Sequence, residues 1–218
     1  MLIRTGEKFP YLIKSPKVLA LGKDHFKCDT LEGVPAEDDS SSGSPGSHWE
    51  KVVLGNEIMV PTATNKVISK FSLKLLEDSG WYQVDYNMGE PFLWGIRAGC
   101  DIIKGDCNIN GNKCAKIGEK GCFYDYTFKA NCSSDVFQNK CSFFTGTDYT
   151  RHDCRQPANR DNFSEALGEF HGNKSRCFTG QMVANGFIHR NYCYFSSCEA
   201  GKVKILIGKK TYECLSSG

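Results

Sequence analysis

The stretch SHWEKVVLGNEIMVP, residues 47–61, carries the side chain best suited to metal chemistry, the imidazole of His48. A catalytic zinc site uses about three protein ligands and keeps one position open for water, so one histidine cannot form it. The nearest other histidine is His25, and no His-Glu-x-x-His motif, which would set two imidazoles one helical turn apart, occurs in the chain. Residue types alone therefore indicate a loop histidine that is exposed or hydrogen-bonded, with metal binding as the less common alternative.

The cysteines point to an oxidising compartment. Of the twelve, eleven lie between Cys100 and Cys214, and none belongs to a Cys-x-x-Cys pair. Short paired spacings are typical of structural zinc sites, whereas wide, irregular spacing with an even total is typical of a disulfide framework. Three segments also have the form of N-glycosylation acceptors, at Asn131, Asn162 and Asn173.

Other features of the composition narrow the class of protein. The net charge is +2 and no basic block is present, which argues against a nucleic-acid partner. No apolar run approaches the roughly 20 residues that span a bilayer. The first residues, MLIRTGEKFPYLIK, lack the apolar region and cleavage site of a signal peptide. A secreted composition without such a signal predicts a chain that is missing its beginning.

Local patterns predict an α+β protein with two parts. Ser15-Pro16 predicts the start of a helix over 16–26, and a second helix is expected over 66–79, capped by Thr64 or Asn65. Residues 28–47 are rich in Ser, Gly and Pro and predict a loop. The expected core residues of the two helices and the segment that follows are Val18, Leu19, Leu21, Phe26, Val67, Ile68, Phe71, Leu75, Leu76 and Trp81.

From about residue 100 the pattern changes to short segments separated by Gly and Asn. We expect residues 101–218 to be a disulfide-rich domain of mostly antiparallel β-strands and loops, with less than about one third helix. KVKILIGKKTYEC, residues 202–214, predicts a β-hairpin with its turn near Gly208-Lys209.

One long segment closely resembles the leishmanolysin family of metzincin zinc endopeptidases. It is FKCDTLEGVPAEDDSSSGSPGSHWEKVVLGNEIMVP, and residues 75–101 and the order of the later cysteines are also similar to that family. The resemblance implies that His48 is the third zinc ligand and that Met59 forms the Met-turn beneath the metal. It further implies a disulfide between Cys28 and Cys100, although Cys28 could instead pair with a cysteine outside this sequence.

The resemblance also implies a function. Residues 1–100 would be the C-terminal part of a metallopeptidase catalytic unit, and residues 101–218 its cysteine-rich domain. The helix with two further zinc histidines and the catalytic glutamate would precede residue 1, so this chain alone would be inactive. The intact protein would use Zn²⁺ to hydrolyse protein or peptide substrates on the secretory route, at the cell surface or outside the cell. Any association with a membrane surface would depend on parts outside this sequence.

A second hypothesis comes from another class of protein. Since only one ligand of the family's zinc site is present, the chain could be a noncatalytic, disulfide-bonded module for adhesion or scaffolding at the cell surface. An in-frame His-Glu-x-x-His motif in the upstream nucleotide sequence would favour the peptidase, and a clean start without it would favour the module.

Overall fold

The computed structural model describes residues 2–4, 9–38, 45–104, 107, 113–146, 152–184 and 187–215. The helices of this part are α1 (Pro16–Phe26), α2 (Lys51–Leu54), α3 (Lys70–Asp78) and α4 (Asn162–Ala166). Its strands are β1 (Leu2–Arg4), β2 (Tyr11–Ile13), β3 (Val34–Pro35), β4 (Lys120–Cys122), β5 (Lys129–Ser133), β6 (Phe143–Thr145), β7 (Ser175–Ala184), β8 (Phe187–Glu199), β9 (Lys202–Ile207) and β10 (Lys210–Leu215). The protein therefore belongs to the α+β class.

The chain divides into two compact units. Unit 1 comprises Met1–Lys113 and Ser134–Phe143, and unit 2 comprises Cys114–Ser133 and Phe144–Gly218. In unit 1, β1, β2 and β3 form a small antiparallel sheet. Among the described residues, no helix is both long and apolar enough to cross a membrane.

Helix α1 forms where the sequence predicts it. Pro16 occupies the first turn, where its missing N–H costs no helical hydrogen bond. The Asp78 carboxylate at the end of α3 accepts the amides of Lys17 at 2.9 Å and Val18 at 3.2 Å, so it satisfies two of the three orphan donors that remain at this terminus with Pro16 in place. At Gly22, a β-carbon would lie 2.7 Å from a methyl group of Leu31, so only glycine allows this close packing.

Helix α3 starts later than the prediction, which placed it over 66–79 with a cap at Thr64 or Asn65. Ser69 is the N-cap, and its hydroxyl accepts the amide of Phe71 at 3.0 Å. The β-branched Val67 instead forms an isolated parallel bridge with Glu57, and its carbonyl accepts the amide of Ile58. The residues predicted to form the first turn of the helix thus pair with the preceding loop instead.

The core of unit 1 is aromatic. Phe26, Trp49 and Phe71 are almost fully buried, and the ring of Phe71 lies 5.8 Å from Phe26 and 6.3 Å from Trp49. The prediction that Trp81 belongs to this core is wrong, because its side chain is 85% exposed. Trp81 follows the C-terminal end of α3, where Leu75 and Leu76 are only half-buried, whereas the N-terminal end of the helix is enclosed.

Unit 2 consists of short antiparallel pairs, as the sequence predicts. Strands β4, β5 and β6 form one sheet, and the second sheet has the order β10-β9-β8-β7. The predicted hairpin is confirmed: Ile207 pairs with Lys210, and Gly208 in the turn has a φ of +59°. Within the described residues, helix after Cys100 is limited to α4 and short 3-10 turns.

Disulfides hold both units. The described cysteines form Cys28–Cys100 and Cys107–Cys141 in unit 1, and Cys114–Cys132, Cys122–Cys177 and Cys154–Cys193 in unit 2. The remaining cysteines, Cys198 and Cys214, are exposed thiols. Cys198 on β8 and Cys214 on β10 both pair with Val203 of the central strand β9. Their α-carbons are therefore two strand spacings apart, which is about 10 Å. This separation exceeds the roughly 7 Å that a disulfide allows between α-carbons.

Candidate functional site

His48 lies on a short bend that leads into α2, and its side chain is half-buried. Its Nδ1 lies 3.1 Å from the Ser47 hydroxyl, and its carbonyl accepts the amide of Glu37 at 2.9 Å. Among the described residues no hydrogen bond to Nε2 is found. When Nδ1 carries the hydrogen and donates it to Ser47, Nε2 keeps its lone pair, which is the form in which imidazole binds metals.

The next residue, Trp49, anchors this bend in the core. Its indole ring is 1% exposed and packs against Phe71, and Nε1 donates to the Ser72 hydroxyl at 3.0 Å. The adjacent Glu50 is the N-cap of α2, and its carboxylate accepts the amide of Val52 at 3.4 Å. Because these contacts hold Trp49 and Glu50 in place, they also fix the position of the His48 backbone.

Met59 is joined to this bend through the backbone. The Trp49 amide donates to the Met59 carbonyl at 3.1 Å, and the Met59 amide donates to the Glu57 carboxylate at 2.7 Å. Residues 57–60 form a tight turn in which the amide of Val60 donates to the Glu57 carbonyl at 3.1 Å. This turn, which contains Met59, thus lies directly beside the peptide that follows His48.

Gly55 is required for the approach to this turn. Its φ is +52°, a conformation that glycine adopts without a steric penalty. A β-carbon here would lie 2.3 Å from Cδ2 of Trp94, whose Nε1 donates to the carbonyl of Val52 at 3.1 Å. The indole of Trp94 therefore covers the end of α2 and leaves no room for a side chain.

Glu57, the first residue of the turn 57–60, carries a buried carboxyl group. Its side chain is completely buried, and burial raises the pKa of its carboxyl group. Hydrogen bonds from the amide of Met59, from the hydroxyls of Ser72 and Ser69 and from the amide of Ser69 lower that pKa again. Sequence reasoning missed Glu57, since a polar residue in a loop carries no periodic signal of burial.

The Cys28–Cys100 disulfide closes the chain around this region. It joins the residue two positions after α1 to the start of a 3-10 turn, Cys100–Lys104, across 72 positions of sequence. His25, on the last turn of α1, donates from Nε2 to the carbonyl of Trp94 at 2.7 Å and stacks on Phe92. The His25 ring therefore has a structural role in packing and hydrogen bonding.

Within the described ranges, two other groups of side chains have metal-ligand chemistry. The carboxylates of Glu37, Asp38 and Glu50 lie within 4.8 Å of one another, and their hard oxygen atoms suit calcium better than zinc. In unit 2, Glu169, His171 and Cys193 are equally close, but the sulfur of Cys193 is bonded to Cys154 and is not a thiolate. Neither group provides the nitrogen-rich set of a peptidase zinc centre.

Comparison with known proteins decides the family. The leishmanolysin family matches residues 3–133, which is more than half of the chain. The chain belongs to the leishmanolysin family. It is 33% identical over 161 residues to a leishmanolysin-like peptidase of Drosophila pseudoobscura pseudoobscura, covering 70% of this chain and 22% of the relative. It is 29% identical over 191 residues to the ciliated left-right organizer metallopeptidase of Mus musculus, covering 83% and 27%.

The protozoan proteins that give the family its name are also similar. Leishmanolysin of Leishmania major is 32% identical over 96 residues, which cover 44% of this chain and 16% of that protein. The resemblance inferred from residues 26–61 and 75–101 is thereby confirmed, and the chain belongs to a family of metallopeptidases. The chain spans about a quarter or less of the length of these relatives.

Proposed function

We propose that this chain supplies the third metal-binding histidine and the methionine turn of a zinc metalloendopeptidase. In this proposal residues 1–100 are the C-terminal part of a metzincin catalytic unit, and residues 101–218 are the cysteine-rich domain. The observation that carries the proposal is the 3.1 Å hydrogen bond from the Trp49 amide to the Met59 carbonyl, in a chain of a metallopeptidase family. It joins the two elements that such a centre needs in proximity.

The donor set of this region fits zinc. A metal-binding histidine usually donates its second ring N–H to an acceptor that fixes the tautomer. The Ser47 hydroxyl, 3.1 Å from Nδ1 of His48, is in position to be that acceptor when Nδ1 carries the hydrogen. The ring is half-buried, and within the described part of the chain no hydrogen bond to its Nε2 is found. A single neutral imidazole binds zinc weakly, so we infer that two further histidines come from a His-Glu-x-x-His segment outside these 218 residues.

His48, Met59 and Trp49 each have a part in the proposed reaction. A bound zinc ion would polarise a water molecule and the carbonyl of the scissile peptide bond, and the glutamate of the external motif would accept the proton. His48 would hold the ion as a neutral ligand. Met59, with a flexible thioether, would fill the space beneath the imidazoles, and Trp49 would keep the bend in place.

The first experiment compares the 218-residue chain with the full-length polypeptide. The chain alone, assayed on an unfolded protein substrate with and without added zinc, should show no chelator-sensitive cleavage. In the full-length protein, His48→Ala should lower zinc content and abolish hydrolysis. Met59→Leu, which nearly conserves volume, should cost less than about 1.5 kcal/mol of stability and retain most activity. Full activity of His48→Ala would remove His48 from the metal site.

The same experiment tests the alternative function, a noncatalytic module for adhesion or scaffolding. It would be favoured by a full-length polypeptide without a His-Glu-x-x-His segment and without bound zinc. The five disulfides of the described residues support secretion or cell-surface display in either case.

We further propose a glycan at Asn173, whose exposed side chain lies in the turn before β7. Asn131 is less accessible, since its side chain accepts the Lys120 ammonium group at 2.7 Å within the β4–β5 sheet.

A further inference from the structure

The carboxylate of Glu57 connects helix α3 to the methionine turn. One oxygen, Oε2, accepts the Met59 amide at 2.7 Å. The other, Oε1, accepts the hydroxyl of Ser69 at 2.9 Å and its amide at 3.3 Å. Ser69 is the N-cap of α3, so the same carboxylate binds the start of a helix and the backbone of the turn.

The connection continues to the histidine. The Met59 carbonyl accepts the amide of Trp49, the residue that follows His48. The indole of Trp49 donates to Ser72, whose hydroxyl is one of the groups that lower the pKa of Glu57 by hydrogen bonding. Two routes, one through backbone atoms and one through side chains, therefore join Glu57 to the peptide beside His48.

The chemistry of this position requires a carboxylate. Among the described residues, every hydrogen-bond partner of the two oxygens is an N–H or O–H donor, and the side chain is completely excluded from solvent. A glutamine at position 57 has only one acceptor oxygen, so its NH₂ group would face the donors of either Met59 or Ser69. A buried donor without a partner is costly, so glutamine would have to release either Met59 or Ser69. The positive end of the α3 dipole adds to the preference for a negative charge.

We propose that Glu57 is a positioning residue for the metal-binding segment. Its carboxylate fixes the backbone of Met59, and Met59 in turn fixes the peptide that follows His48. Glu57 makes no contact with substrate or metal in this proposal and acts through these neighbours. The effect on the backbone depends on the present structure alone, whereas the effect on zinc rests on the proposed function.

The test uses Glu57→Gln with Ser69→Ala as a matched control. Ser69→Ala removes a hydroxyl from the same carboxylate and the cap of α3, but it leaves the Glu57–Met59 bond intact. Amide hydrogen exchange of the 218-residue chain reports the backbone effect. In Glu57→Gln the amides of Met59 and Trp49 should exchange at least about tenfold faster, since the Met59 amide loses its charged acceptor and the Met59 carbonyl, which accepts the Trp49 amide, is then held less firmly. In Ser69→Ala the amide of Phe71 should exchange faster, while those of Met59 and Trp49 should not.

The full-length protein then reports the metal effect. Loss of an outer partner of a metal site typically costs roughly 10–100-fold in affinity, and we expect a loss of this size in Glu57→Gln but not in Ser69→Ala. Zinc retention against a competing chelator measures it without reference to activity. If Glu57→Gln does not fold, Glu57→Asp replaces it, because the shorter carboxylate cannot reach both Met59 and Ser69.

Each outcome bears on a different statement. Wild-type exchange at Met59 and Trp49 in both Glu57 variants would overturn the positioning role. Faster exchange with unchanged zinc affinity would also overturn it, since the backbone would then not matter for the metal. A His48→Ala protein that retains zinc would instead refute the proposed function, whatever the Glu57 variants show.

Discussion

Removal of the Cys28–Cys100 disulfide gives the sharpest test of how unit 1 is stabilised. The two cysteines are 72 positions apart, and the other disulfides of the described residues begin at Cys107, outside this loop. The double variant Cys28→Ala/Cys100→Ala therefore frees the whole loop in the unfolded chain. In the chain-entropy model a loop of this length corresponds to about 4 kcal/mol of stability.

Tryptophan fluorescence is a suitable probe, because all three tryptophans, Trp49, Trp81 and Trp94, lie in unit 1. Trp49 and Trp94 are buried and will change their emission on unfolding, whereas Trp81 is already exposed. With an m-value of about 2 kcal/mol/M, a loss of about 4 kcal/mol moves the urea midpoint down by about 2 M. Cys198→Ala, which removes an exposed thiol, is the control and should leave the midpoint unchanged.

A loss below about 1 kcal/mol in the double variant would refute this reasoning. It would mean that the unfolded loop is already restricted by residual structure, or that the bond strains the folded state enough to cancel its effect. Single variants are unsuitable for this measurement, since each leaves an unpaired thiol that can exchange with the remaining disulfides.

Three further outcomes are expected. Alkylation of the native, unreduced protein should label Cys198 and Cys214 and no other cysteine, as peptide mapping would show. Gly55→Ala should destabilise unit 1 by several kcal/mol, since a β-carbon would meet the Trp94 ring at 2.3 Å; a change below about 1 kcal/mol would contradict this. Burial lowers the pKa of His171 to about 4, so its neutral form stabilises the fold above pH 6.5 and this contribution is lost as pH falls toward 4. Between pH 7 and pH 5 the wild type should lose about 2 kcal/mol more stability than His171→Gln in urea unfolding.

The sequence was most informative where local chemistry decides the structure. Helix α1 runs over Pro16–Phe26 as predicted, because the Ser15-Pro16 start and the apolar spacing agree with its tertiary packing. The hairpin of β9 and β10 is also predicted correctly, with Gly208 supplying the positive φ of its turn. These elements need no knowledge of distant parts of the chain.

Errors arose where distant residues compete with local propensity. Val67 and Ile68 have a helical pattern, but the Val67 carbonyl accepts the amide of Ile58 and the Ile68 amide donates to Glu90, so α3 begins at Lys70. Trp81 was expected to pack with the residues of the second helix, and its exposure follows from its place beyond the end of that helix. The connectivity of the cysteines after Cys100 had no local signal, because spacing does not determine pairing.

For the candidate site, family resemblance supplied what local patterns could not. It singled out His48 and Met59, whose roles at a metal stay predictions, and it paired Cys28 with Cys100, which are bonded in the structure. Glu57 lies in the segment that carries the resemblance, but neither kind of reasoning gave a role to Glu57 or to Ser72, the buried groups that hold this region. Their importance follows from donors and acceptors that meet only after folding.

The disulfide and Glu57 constrain the same region in different states of the protein. Cys28–Cys100 acts mainly by limiting the unfolded chain, so its loss lowers global stability with little effect on how Met59 lies in the folded molecule. The carboxylate of Glu57 acts in the folded state, where it fixes one amide at 2.7 Å. A metal centre needs its ligands held within a fraction of an ångström, and a constraint on the unfolded chain cannot provide this. Global stability and local placement of the His48 segment are therefore separate properties of this structure, set by different residues.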